Sequence, residues 1–177
     1  RRNIVINGAM QVAQRSASVT GIGAADGYFT CDRWGVYQGG TAGRLTMTQT
    51  ADGPSGFANC LKLDCTTADA SIAAGERLIL QHKIEGQDLQ QLKKGTSGAF
   101  DDDNAQSLEL NFWIHAGSNL TSGTLNQTFA ANDNTNRAVG ISSFFDSTDR
   151  TFFLTGLQME VGSVATPFEH RSFGEEL

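Results

Sequence analysis

The sequence predicts an all-β protein, an antiparallel β-sandwich of jelly-roll type with at most one short helix. Three observations carry that expectation. Short runs alternate between apolar and polar residues, turn-forming residues separate them, and almost nothing repeats at helical spacing. A parallel α/β fold needs amphipathic helices between its strands, and these are missing. The alternation implies sheets that bury one face and wet the other.

Residues 3–8 read as an apolar-centred opening strand closed by Asn7-Gly8, a turn-forming pair, and 11–15 as a second extended piece. Residues 16–27 are small, polar and Gly-rich, hence a loop. Residues 29–37 carry Asp32-Arg33-Trp34 and then a β-like Gly35-Val36-Tyr37. In 44–50, Leu45, Met47 and Gln49 share one face while Thr46, Thr48 and Thr50 form a ladder toward solvent. Asp52-Gly53-Pro54 is a turn, 58–65 alternates as a strand, and 66–74 is a loop. In 76–85, Leu78, Leu80, His82 and Ile84 share one face, and 84–92 is the best helical turn. Residues 107–115 read as the strongest strand, with Leu108, Leu110, Phe112 and Ile114 inward and Glu109, Asn111, Trp113 and His115 outward. Residues 119–138 are polar loop with short extended pieces, and 151–161 is the closing strand.

Length and composition bound the rest. A chain of 177 residues is enough for one domain, expected over 1–177, with 162–177 as a C-terminal exit segment. The net charge is −6 and no basic stripe is present, so a nucleic-acid footprint is not expected. No apolar run reaches the length of a bilayer span, so membrane insertion is not expected either. No signal peptide is visible, and the sequence begins at Arg1 without Met. Cys31, Cys60 and Cys65 lack CxxC spacing and a paired His motif, which predicts half-buried free thiols from a reducing compartment.

The last quarter of the chain has a composition of its own: Phe152–Leu157, Gln158-Met159-Glu160-Val161-Gly162-Ser163, then Ala165-Thr166-Pro167-Phe168-Glu169-His170-Arg171-Ser172-Phe173-Gly174-Glu175-Glu176-Leu177. This string resembles the closing "LTG.Q.EVGS.ATPFEHRS.GEEL" of a domain family from tailed-bacteriophage virions, found in tail fibres and other structural proteins. Residues 3–15 resemble that family's opening strand, Asp32-Arg33-Trp34 its second landmark, and 61–89 its central stretch. The two stretches outside the resemblance are 16–29 and 118–143. In the family, the "EGQ.L..L" segment precedes further strands, whereas here Gly95-Thr96 runs directly into Ser97-Gly98-Ala99-Phe100-Asp101. Either the chain is a natural short variant or a segment near 94–97 has been left out of it; the second is the expectation, since losing internal strands leaves edges unpaired. Trimmed ends are expected for the same reason of resemblance.

Candidate sites follow from residue chemistry. Asp101-Asp102-Asp103-Asn104 is the concentrated carboxylate run, and oxygen-rich loops hold Ca²⁺, with Asp146 and Asp149 as further ligands if the loops meet. Without EF-hand spacing, the run reads first as a solvated turn, so no cofactor is expected and structural Ca²⁺ at Asp101, Asp102 and Asp103 is the sole metal candidate. Trp34 is expected in the core, and Tyr28 and Tyr37 as surface rings. With Asn119, Asn134 and Arg137, these two tyrosines are the candidate glycan-binding residues, and the loops 16–28 and 119–137 are the expected binding surfaces. Trp113 is expected at a subunit contact or under another layer. Glu169, His170 and Arg171 are expected at a subunit interface or chain exit, where Glu169 and Arg171 can form charge-assisted hydrogen bonds.

His82, His115 and His170 are scattered without a nucleophile motif, and Gly21-Ile22-Gly23 lacks the context of a phosphate-binding loop, so an enzyme is not expected. The resemblance implies a virion structural protein: a tail-fibre or receptor-binding module engaging bacterial surface glycans. A capsid decoration (cement) or head-fibre protein without a ligand is the alternative, and a polysaccharide-cutting enzyme is a third reading without an identifiable carboxylate pair. The expected partners are other virion proteins and further copies of the chain, as a trimer, assembled in a bacterial cytoplasm.

Overall fold

The computed structural model describes residues 2–89, 104 and 106–176. Its strands are β1 (Ser18–Ile22), β2 (Gly27–Tyr28), β3 (Trp34–Gly39), β4 (Arg44–Thr50), β5 (Cys60–Thr67), β6 (Arg77–Glu85), β7 (Gln106–Ala116) and β8 (Thr151–Leu154). They form two four-stranded antiparallel sheets, ordered β1-β4-β5-β8 and β2-β3-β6-β7. Among the described residues helix is minimal: α1 (Ser118–Thr121) is a single turn, and four short 3₁₀ turns accompany it.

The inward faces of both sheets feed one apolar core. Leu45 and Met47 of β4 and Leu61, Leu63 and Cys65 of β5 meet Trp34 and Val36 of β3, Leu78 and Leu80 of β6, and Ile114 of β7. The alternation read from the sequence therefore places these residues on the faces expected. The threonine face of β4 is hydrogen-bonded to the edge strand β1, through Thr46 to Thr20 at 2.8 Å and Thr48 to Ser18 at 2.9 Å. Cys31, Cys60 and Cys65 are buried free thiols. Burial pushes the Cys31 thiol up to about 12, which keeps it protonated and inert.

Four expectations are corrected. The opening segment is no strand: residues 6–9 turn, and Asn7 and Met10 both adopt φ 55°. Two asparagine side chains replace the missing ladder. Asn3 Oδ1 accepts from Val5 N–H, and Asn7 bonds Val12 through both its amide groups. The loop expected over 16–27 contains β1, whose small polar residues find partners on β4 rather than a core face. The closing strand stops at Leu154, shortly before Gly156 at φ 66°, and the chain then runs beside the N-terminal segment, with Leu157 N–H donating to Gly8 O at 3.0 Å.

The fourth correction concerns His115. Between Leu78 and Ile79 the β6–β7 register slips, so that Ile79 opposes Trp113 and Leu78 opposes His115. Ile114 is the extra residue of a β-bulge, and the bulge turns His115 inward. Its ring is fully buried, against the expectation that it shares the outer face with Trp113. The helical turn expected over 84–92 begins as a 3₁₀ turn at Gly86–Leu89. Its remainder, the segment near 94–97 and Asp101, Asp102 and Asp103 lie outside the described residues.

Candidate functional site

The outer face of the second sheet carries a groove, and strand alternation builds it. On β3, Trp34 and Val36 point into the core, so Gly35, Tyr37 and Gly39 point out. The two glycines leave room above the strand. A Cβ on Gly35 would lie 3.2 Å from the Tyr28 ring, and one on Gly39 would lie 2.9 Å from the Arg77 guanidinium. Arg77 occupies that space, donates to Tyr37 Oη at 3.2 Å and sits 5.0 Å from the centre of its ring, a cation–π contact.

On the neighbouring strands, Ile79, Gln81 and Lys83 of β6 and Glu109, Asn111 and Trp113 of β7 line the floor. Gln81 donates to Asn111 at 2.9 Å, and Asn111 donates to Glu109 at 3.2 Å, so these polar heads are held in a row. Leu120 of α1, Asn134 and Arg137 make the wall, with Arg137 Nε fixed on Asn134 Oδ1 at 2.8 Å. The groove encloses about 460 Å³. A second depression beyond the wall shares Arg77, Leu120 and Asn134 and adds Asn119 and Thr135. Two aromatic surfaces beside amide, carboxylate and cationic groups suit a polar ligand with apolar ring faces.

A different cluster lies at one end of the sheets. Asp69, Glu76 and His115 bring one ligand atom each within 4.8 Å of one another. Asp69 follows β5, Glu76 precedes β6, and His115 is the last residue but one of β7. Asp69 is buried and accepts from Thr41 Oγ1 and Ala42 N–H, both at 2.9 Å, and from Ser71 N–H at 3.2 Å. Burial alone raises its carboxyl pKa, but the bonds from Thr41, Ser71 and Ala42 outweigh that and hold it below the usual range. His115 Nδ1 lies 2.8 Å from Ser143 Oγ, and Nε2 lies 3.4 Å from Glu76 Oε2. Burial lowers the imidazole pKa against the opposing pull of Glu76 and Asp69. One imidazole nitrogen and two carboxylates form a plausible metal-binding site. The expectation that the chain offers no cofactor site beyond the Asp101–Asp103 turn is therefore corrected.

No family model, curated protein or solved structure matches the chain.

The residues singled out in the sequence fall in several places. Tyr37, Asn134 and Arg137 line the groove, and Asn119 borders the depression next to it. Tyr28 lies in a separate depression with Gln14, Arg15, Asp32, Arg33 and Glu176. Trp113 belongs to the groove and packs against the small cluster of Ala116, Leu120 and Ala138. Glu169 and Arg171 bond within their own chain. Glu169 accepts from the Arg2 and Asn3 backbone, and Arg171 donates to Asn3 O and pairs with Glu169 and Glu176. His170 completes a three-ring cluster with Phe57 and Phe168, tilted against the first at 5.3 Å and edge-on to the second at 4.9 Å.

Sequence reading missed Arg77, Gln81, Lys83, Glu109 and Asn111, although each stands on the polar side of an alternating strand. It also missed the Asp69–Glu76–His115 cluster, because the residues come from three separate elements and the bulge that aims His115 leaves no pattern in the sequence.

Proposed function

We propose that this chain is a carbohydrate-binding module of a tailed-bacteriophage virion, a β-sandwich of jelly-roll type that engages bacterial surface glycans through the outer face of its second sheet. The observation that carries the reading is the groove. Tyr37 and Trp113 offer ring faces to the apolar side of a sugar. Gln81, Asn111, Glu109 and Arg137 offer donors and acceptors to its hydroxyls. The shared core of the two sheets and the crossing of the chain from one to the other after β1, β3, β5 and β7 support the sandwich. The virion assignment rests on the resemblance of residues 3–15 and 152–177 to phage structural domains.

An open, shallow groove binds one glycan weakly. Several copies on a fibre, as in a trimer, raise affinity through effective concentration. The test is binding of fluorescently labelled chain to a panel of bacterial cells, with and without periodate oxidation of their surface sugars. The reading expects periodate-sensitive binding that falls at least about tenfold in Tyr37→Ala and Arg137→Ala, each a surface truncation. Tyr28→Ala, in its separate depression, retains it. Binding that survives periodate, or that Tyr28→Ala abolishes while Tyr37→Ala does not, contradicts the assignment of the groove.

A further inference from the structure

We propose that Asp69, Glu76 and His115 hold one zinc-class divalent cation, which ties together the loops at one end of the two sheets. Two buried polar atoms without hydrogen-bond partners face each other at the centre of this cluster. His115 is fully buried, and neither its Nε2 nor Glu76 Oε2 makes a hydrogen bond, although the two face each other at 3.4 Å. Ser143 Oγ already accepts from Phe145 N–H at 3.0 Å and lies 2.8 Å from the other ring nitrogen. With the proton on Nδ1, donated to Ser143, the Nε2 lone pair points at a carboxylate oxygen. Two facing lone pairs repel unless a proton or a metal ion lies between them; at 3.4 Å the pair is long for a hydrogen bond, and a hydrogen-bonded Nδ1–H is the arrangement that orients metal-binding histidines.

The spacing fits. Ligand atoms about 2.0–2.1 Å from a tetrahedral zinc lie roughly 3.3 Å apart, close to the separation of Nε2 and Oε2. Asp69 brings the third ligand. An ionised carboxylate has about four acceptor positions, and Thr41, Ala42 and Ser71 occupy three of Asp69's, leaving one for a metal. Water completes the set from the side where Glu76 is 12% exposed. A mixed nitrogen and oxygen set selects zinc-class ions over Ca²⁺ and Mg²⁺, which prefer oxygen alone.

The consequence is mechanical. Asp69 anchors the loop at Thr41 and Ala42, Glu76 leads into Arg77, and His115 leads into Gly117, whose N–H is bound to Glu76 O at 2.8 Å ahead of α1. The ion braces the wall of the groove from behind, whether or not that groove binds sugar.

The experiment uses the whole chain after treatment with chelator. Calorimetric titration with Zn²⁺ is expected to give one equivalent per chain. Saturation is expected to raise the thermal midpoint by roughly 5 °C or more, an effect that Ca²⁺ does not reproduce. Glu76→Gln and His115→Gln keep side-chain size and are each expected to abolish the response. Co²⁺ bound to the unaltered chain is expected to show a tetrahedral visible spectrum without a thiolate charge-transfer band. This readout holds even if a variant fails to fold. Lack of a zinc response in the unaltered chain, undiminished binding in either variant, an equal response to Ca²⁺ or a thiolate band each overturns the proposal.

Discussion

Single polar side chains organise the interior of this protein. Asn7 bridges Val12 O at 2.8 Å and Asp32 O at 2.9 Å, and its own carbonyl accepts from the Trp34 indole at 3.1 Å. Beside that indole, 4.9 Å between ring centres, lies His82, whose Nε2 accepts from Ile6 N–H at 3.1 Å. An acceptor must be neutral. Burial first, and then the charge of Arg33, lowers the His82 pKa to about 4 from the ordinary 6.5. Above 6.5, folded and unfolded chains are both neutral at this residue and it contributes no pH dependence. As the pH falls from 6.5 toward 4, the unfolded chain takes up a proton that the folded one refuses, and stability is lost. The expected loss between pH 7 and pH 5 is about 2 kcal/mol. His82→Gln, which keeps an acceptor for Ile6, should flatten that slope in urea titrations at the two pH values. An unchanged slope would show that His82 titrates normally.

At the scale of elements, the C-terminal segment acts as a clip. Its carboxylates and guanidinium hold the turn at the other end of the chain. Arg171 and Glu176 are 4% and 2% exposed at the side chain, 3.6 Å apart, and Glu176 also accepts from Asn7 N–H. Removing one member leaves the other charge buried without its partner. Arg171→Met is therefore expected to cost about 3 kcal/mol in urea titration, and Glu176→Gln in that background to recover part of it. No loss in Arg171→Met would mean that the tail detaches freely.

The backbone hydrogen bonds from Asn3 and Arg2, with Arg171 nearby, hold the Glu169 carboxyl pKa down at about 2. Its contribution is present above the ordinary 4.5 and fades as the pH falls toward 2. Denaturation midpoints compared at pH 5 and pH 3 should therefore drop less in Glu169→Gln than in the unaltered chain.

The sequence showed that 162–177 was chemically distinctive, but not what it touches. A charged string reads alike whether it meets another subunit or its own N-terminus. Strands with an apolar face were legible: Leu78, Leu80, His82 and Ile84 lie inward as their spacing predicts. β1 was not, since an edge strand held by Ser18–Thr48 and Thr20–Thr46 contacts has little apolar alternation to detect. The bulge at Ile114 was equally silent, and it moved His115 from the outer face to the cluster with Asp69 and Glu76.

For the whole molecule, the two faces of the second sheet divide the work. The inner face closes the core, and the outer face gathers residues from β3, β6, β7 and the segment 134–137 into one groove. Tyr37, Asn134 and Arg137 were visible as candidates because rings and amides stand out in a sequence. That they share a surface with Trp113 could not be read before the register of β3, β6 and β7 was known.

The protein contains two tryptophans, which report on the two faces separately. Trp34 is buried with its indole N–H held on Asn7 O, whereas Trp113 belongs to the groove. The most direct measurement is an amide and indole ¹⁵N–¹H NMR titration with purified bacterial surface polysaccharide. The Trp113 indole signal is expected to move with the signals of Tyr37, Gln81 and Asn111 while the Trp34 indole stays fixed. Saturable binding that leaves Trp113 unmoved and shifts signals around Tyr28 or the C-terminal segment would contradict it.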